Sequence, residues 1–242
     1  MKLIKKGLLD TWQGLPIYGL QHEGIPPGGA MDTFSLQIAN ALVGNDLYDK
    51  VLEMHFPAGV YQFETSTLIA ICGANFTACV DNVEVPMNQP IKVPPGAILS
   101  CKKPVSGQRV YVAARALQDE QVSRVKILPW SMNPENVFTD EPIRILCGRE
   151  WEQIKACSQQ LVLSKSFAIS PTSNRMGYQL IQEPLKTLAK ENLLSSAVTA
   201  GTIQLLPSGQ LVVLMAGHQT TGGYPRLAHV ISADLPRLAQ KG

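Results

Sequence analysis

Gly217-His218-Gln219-Thr220-Thr221-Gly222-Gly223-Tyr224-Pro225 stands between an apolar run, Leu211-Val212-Val213-Leu214-Met215, and an amphipathic tail, Leu227 to Gln240. The run is bounded by Gly209 and Gly217 and holds two β-branched residues. Such composition and punctuation predict a buried strand. Past it come an amide, two hydroxyls, a Gly-Gly pair and a phenol. Neutral hydrogen-bonding groups at the end of a core strand are held rigidly, and loops so held carry function. The same residues are stock turn formers, so the stretch taken alone also reads as a polar β-turn.

Upstream, the chain alternates short apolar runs with Pro and Gly. Strands are predicted at 51–56, 60–63, 67–72, 77–80, 98–102 and 110–114, and later at 143–147, 166–169, 202–205 and 211–215. Short strands at such spacing predict an all-β class, sandwich or barrel, with a few short helices and no βαβ units. Two further short strands are expected within 7–24. One N-terminal helix follows Asp32 as N-cap and stops at Gly44-Asn45, with Phe34, Ile38 and Leu42 on one face and Leu36, Ala39 and Val43 beside it. A second helix is expected over 150–161. A short one is expected from Asp234, with that residue as its cap. The polar, proline-rich segment 129–142 is expected to link an N-terminal subdomain, 1–128, to a C-terminal one, 143–242.

Composition excludes several functions. At 242 residues the chain holds one large all-β domain or two small ones. A net charge of +2, with no Lys/Arg run longer than two, gives no nucleic-acid footprint. Five cysteines without a C-x-x-C pair predict reduced core thiols, not disulfides or zinc. Four histidines (22, 55, 218 and 229) share no metal-ligand spacing, so no metal site is expected. No apolar run approaches the ~20 residues that cross a bilayer, and the first ten residues carry no apolar leader core. The expectation is a cytoplasmic protein with no membrane partner.

Among candidate chemical groups, Gly28-Gly29-Ala30-Met31-Asp32 precedes a helix and reads either as an anion cradle or as a turn plus cap. It lacks the Lys-Ser/Thr of a P-loop. Arg175 can grip a carboxylate or phosphate with two parallel hydrogen bonds, or lie on a surface turn. Gln204, on a strand, points either to solvent or into a site. His218 can act as a base near neutral pH. No G-x-S-x-G elbow is present.

Three groups of motifs carry a resemblance. The first is Gln219 to Pro225 followed by Val230-Ile231-Ser232-Ala233-Asp234-Leu235. The second is Gly24-Ile25-Pro26-Pro27-Gly28-Gly29-Ala30-Met31-Asp32 with Asn40, Gly44-Asn45 and Leu52-Glu53. The third is Ser170-Pro171, Asn174-Arg175-Met176-Gly177-Tyr178 and Gly201-Thr202-Ile203-Gln204. In this order they resemble the family of the C-type 5-oxoprolinase subunit, also called allophanate hydrolase subunit 2 or biotin-dependent carboxyltransferase. The resemblance implies two cyclophilin-like β-barrel subdomains with a cleft between them. It implies catalytic roles for Arg175, His218, Gln219, Thr220 and Thr221, and substrate contacts from Gly28, Gly29, Asp32, Gln204, Gly222, Gly223 and Tyr224. The implied reaction is ATP-dependent opening of 5-oxoproline to glutamate, in a complex with A- and B-type subunits. ATP is then used by the assembled complex, and the substrate is a small amide or lactam. Two alternatives follow from the same resemblance. One is a regulatory or scaffolding subunit that binds a B-type, kinase-inhibitor-like partner. The other is a biotin-dependent carboxyltransferase acting on urea or a similar amide, the only case that calls for biotin.

The chain departs from the family pattern at ionisable positions. Gly14, Ser196 and Gly217 stand where the family usually has an acid, and Ile17 where it has an arginine. A Gly/Ser-rich segment that joins the family's two halves is missing after Ala113-Ala114-Arg115, and the family usually continues with one more strand beyond Gly242. Charge lost while glycines and apolar positions stay is the pattern of a retained fold with relaxed chemistry.

Overall fold

The computed structural model describes residues 1–123, 126–127, 131–133, 140–188 and 193–241. The expected linker, 129–142, lies largely outside the described residues. The chain divides into two compact units: 1–15 with 32–140 and 239–241, and 16–31 with 141–238.

The first unit runs β1 (Lys2–Lys5), β2 (Leu9–Gln13), α1 (Thr33–Val43), β3 (Val51–His55), β4 (Val60–Gln62), β5 (Thr67–Asn75), β6 (Ala78–Val80), β7 (Val83–Glu84), β8 (Pro90–Val93), β9 (Ile98–Cys101), β10 (Ser106–Ala116) and α2 (Asp119–Val122). Two antiparallel five-stranded sheets result, ordered β1-β4-β9-β6-β7 and β2-β3-β10-β5-β8. Leu52, Met54, Phe63, Ile71, Phe76 and Leu99 pack between strands as the core. Sequence reading missed β8 because Pro90 opens it. A proline is tolerated there, at the first residue of an edge strand, where no ladder N–H is needed. Of the segment expected to hold two strands, 7–24, only β2 is strand. Residues 16–31 hold a 3₁₀ turn, Gln21–Glu23.

Asp32 caps α1 as expected. Its carboxylate accepts from the Ser35 N–H at 2.9 Å and the Ser35 hydroxyl at 2.6 Å, and Gly44 closes the helix at φ 73°. The buried face is Leu36, Ala39, Leu42 and Val43, turned onto β5 and β10. Phe34 and Ile38 are only half buried, so the core-facing stripe is the one expected to lie beside them. Beneath α1, Tyr111 accepts from the Asp32 N–H and donates to Glu53, each at 2.8 Å.

The second unit holds β11 (Ile145–Cys147), α3 (Ala156–Ser164), β12 (Ala168–Ile169), β13 (Gly177–Ile181), β14 (Ser196–Ala197), β15 (Thr202–Leu205), β16 (Leu211–Leu214), β17 (Thr221–Gly222), β18 (Arg226–Val230) and α4 (Leu235–Ala239). Six strands form one antiparallel sheet, β11-β18-β15-β16-β13-β12, and β14 pairs with β17. The helix expected over 150–161 is interrupted. Ile154 is extended and forms a bridge to Thr187, so a 3₁₀ turn, Trp151–Gln153, precedes it and α3 begins only at Ala156. The tail that reads as amphipathic begins as a strand, β18, because Leu227, Ala228 and Val230 bury against β15 and β11. No described helix is long and apolar enough to cross a membrane. None of the five cysteines is in a disulfide. Cys147 and Cys157 are exposed, which corrects the expectation that all five sit in the core.

Asp234 has a different task from the cap expected of it. Its carboxylate, fully buried, accepts from the Arg144 N–H at 2.8 Å and the Arg144 guanidinium at 2.7 Å, and lies 3.3 Å from Arg237. Hydrogen bonds from Arg144, outweighing burial, lower its pKa from 3.8 to about 2. A lowered carboxyl pKa adds stability that is complete above the unfolded value and lost as pH falls through the folded one. Asp234→Asn is therefore expected to lower the melting temperature at neutral pH. It is also expected to flatten the loss of stability between pH 3.8 and about 2. Urea melts across that window check this; an acid profile identical to that of the parent chain contradicts it.

Candidate functional site

Strand register builds the site. In the six-stranded sheet Gln204 stands opposite Val212, Val212 opposite Gln179, and Leu214 opposite Gly177. Side chains alternate along a strand, so these positions share one face. The other face carries Tyr178, Ile203, Leu205, Leu211 and Val213, all buried. The Gln204 face lines a groove of about 220 Å³, whose polar wall includes Asn174, Gln219 and Tyr224. Gly177 belongs to its floor because a Cβ there would come within 2.8 Å of Val212 Cγ2.

Gln204 is the group that decides what the groove can do. It is 1% exposed, and its Nε2 has no hydrogen-bond partner among the described residues. Its Oε1 accepts from Gln219 Nε2 at 3.5 Å. Gly222 closes over the amide, and a Cβ at 222 would lie 2.6 Å from Gln204 Nε2. A buried donor without an acceptor costs about 1–3 kcal/mol. Most buried polar groups are satisfied, so an orphan beside a groove marks a place for a ligand acceptor. An uncharged amide pair suits a neutral carbonyl oxygen.

Of the residues that sequence singled out, Gln204, Gln219 and Tyr224 share this groove, and Gly222 packs on Gln204. Gly223 adjoins Ser195. Thr220 offers its carbonyl to the Val198 N–H at 3.2 Å, and Thr221 pairs with Ala197 in the β14–β17 ladder. Neither threonine lines the groove, nor does His218. His218 is 2% exposed, and its Nδ1 lies 2.5 Å from the Gln219 carbonyl. A carbonyl only accepts, so Nδ1 is the donor in this contact. Arg175 forms a second cluster. Its guanidinium donates to the Gly29 carbonyl, in a turn where Gly28 and Gly29 both have positive φ. Its own carbonyl accepts from the Gly217 N–H at 2.7 Å.

Asp32 lies in the first unit and is fully buried. Burial pushes its carboxyl up, while hydrogen bonds from Gln240 and Ser35 pull it back. The first-turn N–H of α1 at Ser35 thus already has an acceptor, and a carboxylate sits where a phosphate would have to lie. The residues of this turn do not fit ATP.

Sequence reading missed a second cavity of the second unit. It measures about 400 Å³, shares Tyr224 with the groove, and is lined by Gly222, Arg149, Glu150 and Arg226. Glu150 and Arg226 are 76 positions apart, so the three charges carry no periodic signal. No cluster of three or more His, Cys, Asp or Glu able to hold a metal occurs among the described residues.

The carboxyltransferase domain family, subdomains A and B, matches residues 23–124 and 116–242, and the chain belongs to it. Over 270 residues it is 33% identical to the C-type 5-oxoprolinase subunit of Escherichia coli, covering 99% of this chain and 87% of that protein. Over 259 residues it is 30% identical to the C-type 5-oxoprolinase subunit of Haemophilus influenzae, covering 95% and 84%. The crystal structure of the Kluyveromyces lactis urea amidolyase superposes with a TM-score of 0.85 at 21% identity. That superposition spans all of this chain but 18% of the larger one, so the likeness is one of fold.

The packing of Gly222 gives a direct test. Gly222→Ala is expected to cost about 1–3 kcal/mol by overpacking. Gly223→Ala, whose nearest new contact is Ser195 Oγ at 3.4 Å, is expected to cost much less. Chemical denaturation of the two variants checks this; equal costs contradict the packing described.

Proposed function

We propose that this chain is the C-type subunit of an ATP-dependent 5-oxoprolinase, which opens 5-oxoproline to glutamate together with A- and B-type subunits. The observation that carries the reading is the buried, unpartnered Gln204 Nε2 beside a neutral groove. A lactam carbonyl is a neutral acceptor, and its oxygen becomes more negative as the ring is attacked. A fixed donor gains strength as that charge grows. The two relatives named as C-type 5-oxoprolinase subunits, each matched along most of its length, support the same reading.

Among the described residues, the groove's lining has no carboxylate and no cation. Its contribution is therefore to bind and orient the amide, with Gln204 and Gln219 as donors and Tyr224 as a wall. ATP, bound in the assembled complex, would supply the driving force for opening the amide. The turn before α1 does not fit the nucleotide, so no ATP-binding role is assigned to it. Arg175, Thr220, Thr221 and His218 surround this stretch and are assigned supporting roles. The same lack of charge favours one second reading, a non-catalytic subunit that binds and regulates a B-type partner. A ureido carbonyl would meet the same donors, which is the form a biotin-dependent reaction would take here.

The test is glutamate release from 5-oxoproline and ATP by the chain assembled with A- and B-type subunits. Gln204→Leu, shown by its melt to be folded, is expected to lower kcat about 10²–10³-fold, as loss of one such donor does. Undiminished turnover by that variant overturns the role of Gln204. Stable assembly without any glutamate release favours the regulatory reading.

A further inference from the structure

The second cavity is built on a forced approach of two chain segments. A Cβ at Gly148 would lie 2.1 Å from the Arg226 carbonyl oxygen, so only glycine lets the chain turn this closely onto β18. The Gly148 N–H donates to the Leu227 carbonyl at 2.7 Å, and the Glu150 N–H to the Arg226 carbonyl at 3.4 Å. This seats Glu150 against Arg226. Glu150 Oε2 accepts from the Arg226 backbone N–H at 3.0 Å and from Nε at 3.3 Å, and Oε1 accepts from Nη2 at 3.1 Å. Burial pushes the Glu150 carboxyl up, but the hydrogen bonds and charge of Arg226, with the nearby charge of Arg149, more than offset it, and the group is held below its ordinary value.

A guanidinium has five N–H donors in a fixed plane. Glu150 takes one edge of Arg226, formed by Nε and Nη2, and the remaining Nη donors are not used by it. The pair is fixed without consuming the cation. Arg149, exposed on the same turn, has no hydrogen bond or ion pair among the described residues. Two guanidiniums and one carboxylate leave the cavity with one net positive charge. Ser195 and Ser196 add hydroxyls to its lining. The volume, about 400 Å³, is in the range of small-molecule sites. A purely structural ion pair would need neither a concave space in front of it nor a second arginine whose guanidinium makes no hydrogen bond among the described residues.

We infer that this cavity is a binding site for a compact oxyanion, a carboxylate or phosphate group, gripped by Arg226 and Arg149 with Ser195 and Ser196 completing the ring of donors. The inference does not rest on the 5-oxoprolinase reading, because the charged cavity and the neutral groove have separate walls apart from Tyr224.

The test is calorimetric titration of the purified chain with inorganic phosphate and, separately, with acetate, at constant ionic strength. Saturable binding of at least one at a single site is expected, and whichever binds tighter distinguishes a phosphoryl from a carboxylate ligand. Arg149→Gln is expected to weaken it about tenfold or more, the effect of losing a charge-assisted hydrogen bond. Ser196→Glu, which places a negative charge in the same wall, is expected to do likewise. Lys103→Gln, an exposed charge in the first unit, is expected to leave binding unchanged. The outcome that overturns the inference is no saturable binding of either anion, or binding that Arg149→Gln and Ser196→Glu leave within about twofold, as nonspecific attraction screened by salt would be. Because Arg149 is exposed and Glu150 keeps its Arg226 partner in both variants, the test does not hinge on a destabilised fold.

Discussion

The side chain that Gly222 lacks is the constraint from which the rest of the site follows. With only hydrogen at 222, β17 closes over β15, and the Gln204 amide is buried with its oxygen toward Gln219 and its nitrogen toward no acceptor. The antiparallel register of β13, β16 and β15 then decides what surrounds it. Gln179, Val212, Leu214 and Gly177 share its face while the other face fills the core. Shift any of these strands by one residue and the polar face would turn into the core. The groove is thus a product of the pairing pattern, not of a loop draped over the surface.

Neutral and charged chemistry are kept apart in this unit. The groove is lined by amides, hydroxyls and apolar side chains, whereas the cavity on the far side of Tyr224 gathers Arg149, Glu150 and Arg226. Separation has a physical use. A cation beside Gln204 would bind carboxylates in preference to a neutral carbonyl, and a carboxylate there would compete for the orphan N–H. Elsewhere ionised groups serve the frame: Asp234 ties β11 to the C-terminal helix through Arg144 and Arg237, and Asp32 holds the start of α1. Asp32 shows how a glycine-rich turn before a helix can resemble an anion cradle while its donors are already taken.

Much of the fold was legible because strand length and Pro/Gly punctuation dominate this sequence. Thr67 to Cys72, Thr202 to Leu205 and Leu211 to Met215 read as strands, and the structure has strands at Thr67–Asn75, Thr202–Leu205 and Leu211–Leu214. Pro90 hid β8, and the polar residues of Arg226–Val230 hid β18, whose apolar positions become visible only against β15. The helix from 150 failed at Ile154, where a tertiary bridge to Thr187 overrides local helical pattern. Of the site, the motif residues Gln204, Gln219, Gly222 and Tyr224 were legible. Their grouping with Asn174 and Gln179 was not, since it depends on register. Arg149, Glu150 and Arg226 were illegible for a simpler reason: their meeting depends on the close approach at Gly148, a single glycine in an unremarkable turn.

The claim that most needs direct observation is that Gln204 offers its buried N–H to a ligand carbonyl. Two-dimensional ¹H–¹⁵N spectra of the isolated chain, recorded while 5-oxoproline is added, observe that side-chain amide itself. The Gln204 and Gln219 side-chain NH₂ resonances are expected to move saturably and together. The Asn45 amide, which donates to Asn40 in the first unit, should stay fixed. If Gln204 stays unmoved across the titration, or moves no more than Asn45, the buried donor does not serve a ligand and the account fails at its centre.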